Sequence, residues 1–231
     1  MLELKRVESG YGETQVLYGM DLHAQPGRVL AVLGRNGAGK STTLKTIMGL
    51  LPLQAGDMTL DGARLNGTPP YEVARAGIGY VPETRDIFPS LSVRENLDLA
   101  ASRGRSGDWT MQTVTDLFPR LAERMDNGGQ QLSGGEQQML AIARILRTGA
   151  KTLLLDEPTE GLAPVIVQQI GHTIAALKDE GFTIVLVEQN FRFAASVADR
   201  HYVVDQGRVV DMIPNDQLEE NAEKLHDYLG V

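Results

Sequence analysis

The 231-residue sequence predicts a single α/β domain. Short strand-like segments dominate its first part, a mostly helical stretch follows Ser92, and strand-like segments separated by a helix return after residue 150. Because 42% of the residues are hydrophobic, the chain can bury one sizeable core. This order of segments indicates an α/β core that carries a helical insert.

The first part of the chain contains three strand-like segments. Residues 2–8 alternate between apolar and polar side chains, and residues 28–33 form an apolar run that is typical of a buried strand. Residues 58–62 end in an Asp-Gly turn signal. In the helical insert, Ser92 and Glu95 form a capping box at the entry. Apolar residues at helical spacing occupy 93–99, 114–121 and 139–146, and the Gly/Ser-rich stretch 102–107 predicts a loop.

The last part of the chain predicts a βαβ unit and a hairpin. Strand-like residues 152–155 and 183–187 flank a helical pattern at 165–178. The hairpin consists of residues 201–205 and 208–211, which flank a Gln-Gly turn. A polar helix over residues 215–228 is predicted to close the chain.

Composition and charge exclude several classes of function. With 22 Lys+Arg against 30 Asp+Glu, the net charge of −8 argues against a broad basic surface for nucleic acid. The chain has no cysteine, so disulfides, thiolate metal sites and a catalytic thiol are excluded. No stretch has the apolar length of a signal peptide or of a membrane-spanning helix. We therefore expect any link to a membrane to run through a partner.

A phosphate-binding motif lies between residues 34 and 41, which match the pattern G-x-x-x-x-G-K-[ST]. In this pattern, glycines let backbone N–H groups surround phosphate oxygens, the lysine reaches the β- and γ-phosphates, and the hydroxyl binds Mg²⁺. The apolar run 29–33 precedes the motif and a helix-compatible run, 41–48, follows it, as a P-loop requires. The predicted phosphate-binding residues are Gly34, Arg35, Asn36, Gly37, Ala38, Gly39, Lys40, Ser41 and Thr42.

Asp156 and Glu157 directly follow an apolar strand-like run. In P-loop proteins, an acidic residue at such a strand end holds Mg²⁺, so Asp156 is predicted to act with Ser41 as a metal ligand. Glu157 would then lie near the γ-phosphate, where it can polarise the attacking water as a general base. Without the P-loop, the pair would be more typical of a solvated strand terminus.

The segment Leu-Ser-Gly-Gly-Glu-Gln-Gln at 132–138 resembles the signature sequence of ABC-type ATPases. The same residues also predict a helix start, since Ser133 and Glu136 can form a capping box. Both interpretations hold together, because a glycine-rich helix N-terminus is a good anion site. In the family, this cap binds the γ-phosphate of ATP on the opposing subunit, a role that the resemblance assigns to Ser133, Gly134, Gly135 and Glu136.

The resemblance covers the whole chain and implies an α/β P-loop core with a mixed sheet, an antiparallel β-subdomain and a helical subdomain. Residues 1–87 and 151–231 would form the core with its β-subdomain, and residues 88–150 the helical subdomain. Tyr11 falls where the family places an aromatic ring against adenine. Residues 79–83 match the loop that joins the core to the helical subdomain, which in transporters meets the membrane subunit.

Three positions depart from the commonest family pattern. Glu83 replaces a glutamine and can still ligate Mg²⁺, although an ionised carboxylate cannot donate a hydrogen bond to water. Gln189 replaces a histidine near the γ-phosphate, so it can position groups but cannot titrate. Ala163 stands where an aspartate is usual. Glu83 and Gln189 are nevertheless predicted to be catalytic residues together with Glu157.

Four segments together resemble the LivF-type ATPase of branched-chain amino-acid importers: residues 35–41, 81–83, 159–164 and 187–190. This resemblance implies ATP and Mg²⁺ as cofactors and a place on the cytoplasmic face of the inner membrane. It also implies a second, LivG-like ATPase, two transmembrane permease subunits and an extracytoplasmic substrate-binding protein. When isolated, the chain is expected to form homodimers.

Other functions remain open on the sequence. The same ATPase could serve a urea or short-chain amide importer, because this subunit does not touch the cargo. A lipid or polysaccharide exporter normally keeps the glutamine and histidine that are replaced here. A soluble ABC ATPase of DNA repair or translation usually has tandem domains or a coiled coil. A kinase or GTPase would leave residues 132–138 unexplained.

Overall fold

The computed structural model describes residues 1–103 and 109–229 of the chain. The strands of the described residues are β1 (Leu2–Tyr11), β2 (Thr14–Ala24), β3 (Val29–Leu33), β4 (Leu53–Leu60), β5 (Ala63–Arg64), β6 (Ile78–Val81), β7 (Thr152–Asp156), β8 (Thr183–Glu188), β9 (Arg200–Asp205) and β10 (Arg208–Pro214). The helices are α1 (Lys40–Ile47), α2 (Pro70–Arg75), α3 (Val93–Arg103), α4 (Met111–Leu117), α5 (Pro119–Ala122), α6 (Gly134–Arg147), α7 (Pro164–Asp179), α8 (Phe191–Val197) and α9 (Ala222–Leu229).

A six-stranded sheet in the order β10-β9-β3-β8-β7-β6 forms the centre of the core. Its strands are parallel except for β10, which pairs antiparallel with β9. Every residue of β3, β7 and β8 is buried, as expected for parallel strands covered on both faces. Because these three strands are parallel, their carboxyl ends meet at one edge of the sheet.

A second, antiparallel sheet has the order β2-β1-β4-β5. Its inner residues, such as Leu4 and Met20, share one apolar cluster with Leu44 and Ile47 of α1 and with Val32 of the central sheet. The helix after the glycine-rich loop is therefore clamped between the two sheets. A larger apolar cluster covers the other face of the central sheet and includes side chains of α3, α4, α6 and α7.

Helix α6 begins as the sequence predicts. Ser133 is its N-cap, and its hydroxyl accepts a hydrogen bond from the backbone N–H of Glu136, while the Glu136 carboxylate accepts one from the Ser133 N–H. This capping box satisfies two N–H groups that the first turn would otherwise leave open. The apolar stripe of α6 then packs against α3 and β6.

Strand β2 was not anticipated, and two local predictions are wrong. Residues 79–81, expected in a loop, belong to the strand β6, where Ile78 and Val81 are buried and pair with β7. The single helix expected at 215–228 is a 3₁₀ turn at Asn215–Gln217 followed by α9, because Leu218 and Leu225 both turn inward to one small apolar cluster. The loop expected at 102–107 lies outside the described residues from 104 onward, and residues 102 and 103 end α3.

Strand β6 fits against α6 because of one glycine. A Cβ atom on Gly79 would lie 2.0 Å from Cγ2 of Ile145, so only glycine leaves room for that side chain. Separately, within residues 1–103 and 109–229, no helix combines the length and the apolar character needed to span a bilayer.

The N-terminus of α7 yields a stability prediction at Ala163. This residue occupies the N-cap in an extended conformation, and its methyl side chain cannot accept a hydrogen bond from the first turn. Ala163→Asp should raise the free energy of unfolding by about 1 kcal/mol, because the carboxylate can accept from an open N–H and faces the positive end of the helix dipole. Urea unfolding followed by circular dichroism measures the change.

Ala163→Val is the matched control, since it enlarges the side chain without adding a hydrogen-bond acceptor. An aspartate variant that is no more stable than the valine variant would show that this helix end gains nothing from a cap.

Candidate functional site

A cavity of about 490 Å³ opens at the edge of the central sheet where β3, β7 and β8 end. The loops after β3, β6, β7 and β8, the first turn of α1 and the adjoining ends of β1 and β2 supply its walls. The lining residues are Tyr11, Val16, Asn36, Gly37, Gly39, Lys40, Ser41, Thr42, Glu83, Glu157, Glu160 and Gln189. Most of the residues predicted from the P-loop, together with Tyr11, Glu83, Glu157 and Gln189, are thus brought to one place.

The loop between β3 and α1 has the tight path that a P-loop needs. A Cβ atom on Gly34 would lie 2.4 Å from the carbonyl oxygen of Val204. Gly39, the N-cap of α1, has φ of 106°, which side chains strongly disfavour. The buried ammonium group of Lys40 turns back over this loop and donates to the carbonyl oxygens of Gly34 at 2.9 Å and Arg35 at 3.2 Å. Lysine and loop therefore form one compact unit.

The first turn of α1 presents N–H groups to the cavity. The carbonyl of Gly39 accepts from the N–H of Thr43, which is the first hydrogen bond of the helix ladder. The N–H groups of Lys40, Ser41 and Thr42 have no acceptor within the helix for this reason. Together with the helix dipole and the Lys40 ammonium, they fit the oxygens of a polyphosphate.

Asp156 is the central acid of the candidate metal site. One carboxylate oxygen, Oδ1, accepts from the hydroxyl of Ser41 at 2.8 Å, and the other, Oδ2, accepts from the hydroxyl of Tyr80 at 2.9 Å. Burial raises the pKa of Asp156, although both hydrogen bonds oppose this shift. Hard oxygen donors from a hydroxyl and a carboxylate fit Mg²⁺, which is bound by few protein ligands and by substrate phosphates.

Glu157 lies between Lys40 and Gln189. Its Oε1 is 3.2 Å from the ammonium of Lys40, and its Oε2 accepts from the side-chain amide of Gln189 at 2.6 Å. The backbone of Glu157 has φ of 46°, a left-handed conformation that is unusual for a residue with a side chain. Such conformations cost on the order of 1–3 kcal/mol and persist where the surroundings impose them.

A second carboxyl group accompanies Glu157. Burial raises the pKa of Glu157, but hydrogen bonds from Glu160 and Gln189 and the charge of Lys40 together hold it below its ordinary value. The pKa of Glu160 is raised, mainly because its carboxyl group donates a hydrogen bond to the Glu157 carboxylate. The site therefore keeps Glu157 ionised, as a general base must be.

Ser133, Gly134, Gly135 and Glu136 are not among the residues that line the cavity. Ser133 and Glu136 hydrogen-bond to each other in the capping box. Burial raises the pKa of Glu136, but hydrogen bonds from Ser133 and the charges of Arg124 and Arg120 together hold it below its ordinary value. Gly135 is packed so closely that a Cβ atom there would lie 2.8 Å from Cγ2 of Ile166. These four residues therefore take no part in the cavity around Lys40.

Three residues of the site escaped the sequence analysis. Tyr80 supports Asp156, Glu160 pairs with Glu157, and Glu188 lies buried beside Gln189 with 3% of its surface exposed. Burial raises the pKa of Glu188 to about 7, against hydrogen bonds from Thr159 and Asn190. The sequence offered one signal for Glu188, which is a charged residue at the end of an otherwise apolar strand-like run. It offered no signal that Tyr80 belongs to the site.

Comparison with known proteins points to one family. A family profile described as ABC transporter matches residues 17–160. The chain is 42% identical over 232 residues to the high-affinity branched-chain amino acid transport ATP-binding protein BraG of Pseudomonas aeruginosa, with 100% of both chains covered. It is 38% identical over 230 residues to the probable branched-chain amino acid transport ATP-binding protein LivF of Archaeoglobus fulgidus, covering 97% of this chain and 98% of the relative.

Solved structures agree with the sequence relatives. The structure of an ATP-binding subunit of an ABC transporter matches with a TM-score of 0.87 and 27% identity, covering 100% of both chains. A dimeric bacterial ABC transporter cassette matches with a TM-score of 0.81 and 26% identity, covering 93% of this chain and 99% of the other. The predicted fold class is confirmed.

The raised pKa of Glu188 predicts a pH dependence of stability. In the unfolded chain the carboxyl group ionises near 4.5, whereas in the folded chain it stays neutral up to about 7. Its contribution to stability is therefore complete below pH 4.5 and is lost as the pH rises to 7, by roughly 3 kcal/mol. Urea unfolding at pH 5 and pH 8 should show the wild type losing stability relative to Glu188→Gln, which cannot ionise.

The comparison of the two proteins removes the contributions of the other titrating groups. Free energies of unfolding that stay parallel between pH 5 and pH 8 would contradict the raised pKa.

Proposed function

The chain belongs to the ABC transporter family, and we propose that it is the subunit that hydrolyses ATP to drive the import of branched-chain amino acids. One observation carries the ATPase assignment: the Glu157 carboxylate is held between Lys40 and Gln189 beside the P-loop. The two relatives named for branched-chain amino acid transport, which align over nearly the whole chain, support the importer.

Phosphate binding requires the Lys40 ammonium to exchange its contacts within the chain for contacts with phosphate oxygens. The Lys40 ammonium contacts two loop carbonyls and Glu157. In our proposal, the β- and γ-phosphates of ATP replace these contacts, while the N–H groups from Gly37 to Thr42 surround the phosphate oxygens. Tyr11, 46% exposed at the cavity wall, offers its ring to the adenine.

Ser41 and Asp156 are proposed to hold Mg²⁺, with Glu83 as a further oxygen ligand. When bound, Mg²⁺ neutralises charge on the β- and γ-phosphates. The hydrogen bond between Ser41 and Asp156 places the two oxygens 2.8 Å apart, so both would be available to one metal ion. Tyr80 holds the second oxygen of Asp156 and so limits the rotation of the carboxylate.

Glu157 is the proposed general base. Its ionised carboxylate accepts a proton from the water that attacks the γ-phosphate, and Gln189 keeps the carboxylate in place. Gln189 can also donate to a phosphate oxygen, since a side-chain amide has two donors. Glu83 lies in the wall of the same cavity, where it can help orient the water.

A complete site is proposed to need two ATPase subunits. Ser133, Gly134, Gly135 and Glu136 form a helix start outside this chain's own cavity, so we infer that they bind the γ-phosphate held by a partner. The dimeric state of a related solved cassette supports this arrangement. In the cell, the proposed partner is a LivG-like ATPase, whereas the isolated chain is expected to form homodimers.

The proposed transporter places this chain on the cytoplasmic face of the inner membrane. Two permease subunits would anchor it there, and an extracytoplasmic binding protein would deliver the amino acid. Phe88 is 41% exposed at the start of the region expected to meet the permease, and the guanidinium of Arg144 lies 4.5 Å from the centre of its ring. A urea or short-chain amide importer is the alternative cargo assignment, because the ATPase sites would be the same.

Glu157→Gln should keep ATP binding and lose most turnover. The substitution removes the base, which contributes roughly 10²- to 10⁴-fold to such reactions, but leaves a side chain that Gln189 can still contact. Removal of the charge also frees Lys40 for phosphate, so the affinity for ATP should stay equal or increase. Phosphate release and binding of a fluorescent ATP analogue measure the two effects.

Lys40→Ala is the contrasting variant and should weaken ATP binding roughly 10- to 100-fold, because it removes a charge-assisted hydrogen-bond donor. Near-normal hydrolysis by Glu157→Gln would exclude Glu157 as the base. Unchanged nucleotide affinity in Lys40→Ala would exclude the phosphate site.

Purification of the tagged chain from gently solubilised membranes of its host tests the importer. We expect two dissimilar multi-span proteins and a second ATPase to copurify. The matched control is the tagged Lys40→Ala variant. It should copurify the same proteins, because the substitution leaves the surface near Phe88 intact. Recovery of identical ATPase subunits only, or of ribosomes or DNA enzymes, would contradict the proposed assembly.

A further inference from the structure

Glu188 is a buried carboxyl group to which the hydrolysis described above assigns no role. It is the last residue of β8, directly before Gln189, and 3% of its surface is exposed. In residues 1–103 and 109–229, no lysine or arginine forms a salt bridge with it. An unpaired buried carboxyl group lowers stability, so a neutral residue of similar size would favour folding more. Its presence therefore points to a task in the site.

The contacts of Glu188 reach into the loop that follows β7. Its Oε1 accepts a hydrogen bond from the hydroxyl of Thr159 at 2.8 Å, and its Oε2 accepts one from the backbone N–H of Asn190 at 3.3 Å. Thr159 is itself 7% exposed. The bond thus joins two buried side chains, one at the end of β8 and one in the loop after β7, where solvent cannot compete for it.

Two neighbouring residues at the end of β8 hold two residues of the loop after β7. Glu188 contacts Thr159, and Gln189 contacts Glu157 at 2.6 Å. The carbonyl oxygen of Val187 also accepts from the N–H of Glu157 at 3.0 Å. The left-handed backbone of Glu157 is therefore held at two points, at its own N–H and at Thr159, two residues later.

We propose that Glu188 is a positioning residue for ATP hydrolysis, which acts through Thr159 to hold Glu157 where Gln189 and the attacking water meet it. The inference rests on the proposed role of Glu157 as base. If the anchor at Thr159 is lost, the loop can relax from the left-handed conformation and move the carboxylate, and displacements of about 1 Å strongly reduce the rate of such reactions. The contact persists when Glu188 is protonated, because a threonine hydroxyl can accept as well as donate.

The test compares Thr159→Val with Thr159→Ser in the full-length protein. Valine has nearly the shape of threonine but lacks the hydroxyl, whereas serine keeps it. Thr159→Val should lower kcat at saturating ATP by about tenfold or more, with affinity for an ATP analogue within about twofold of wild type. Thr159→Ser should restore kcat to within about threefold of wild type. Thermal unfolding confirms that each variant is folded.

Glu188→Ala provides the second arm. It should lower kcat as much as Thr159→Val, and the double variant should show no further loss, because both substitutions remove the hydrogen bond between Thr159 and Glu188. Additive losses would overturn the proposal, as would equal kcat in Thr159→Val and Thr159→Ser. A fall in nucleotide affinity that matches the fall in kcat would do the same. If Glu188→Ala does not fold, the valine and serine pair decides alone.

Glu157→Gln, measured beside these variants, distinguishes a failure of the positioning role of Glu188 from a failure of the proposed function. An inactive Glu157→Gln together with a fully active Thr159→Val overturns only the positioning role of Glu188. A fully active Glu157→Gln overturns the proposed function on which that role rests.

Discussion

The parallel pairing of β3, β8 and β7 is the constraint on which the rest of the site depends. The register places Leu33 opposite Glu188 and Asp156 opposite Val187, so the three strands end within one residue of each other. Every group proposed to handle phosphate, metal or water in this chain's own cavity lies at or just after one of these strand ends or the end of the neighbouring β6. A shift of one residue in either pairing would turn Asp156 to the other face of the sheet and separate it from Ser41.

The charged and polar groups of the site contact one another. Lys40 contacts loop carbonyls and Glu157, Ser41 contacts Asp156, and Glu160 shares a hydrogen bond with Glu157. Each of these contacts uses a group that the proposed ligand needs. Binding of ATP with Mg²⁺ would therefore exchange internal hydrogen bonds for new ones and would not require charged groups to be brought from solvent.

Local patterns in the sequence predicted the parts of the fold and site that depend on contiguous residues. The P-loop, the acidic pair after β7 and the capping box at Ser133 are contiguous, and their local geometry follows from residue type and spacing. Tyr80, Thr159 and Glu188 could not be assigned in this way, since each acts on a residue from another strand or loop. Strand β6 was missed because residues 79–83 were matched to a connecting loop of the family, and the close packing of Gly79 against Ile145 involves a residue distant in the sequence.

The missing side chain at Gly79 also bears on the far end of α6. Ile145 fills the space that a Cβ atom would take, so this end of α6 packs closely on β6. Ser133 caps the other end of the helix, about 18 Å away along its axis. A tilt of the helix by about 5° about the contact at Ile145 would displace Ser133 by about 1.6 Å, which is more than half the length of a hydrogen bond. Close packing at one end of α6 therefore bears on the position of the residues that are proposed to reach the partner's ATP at the other.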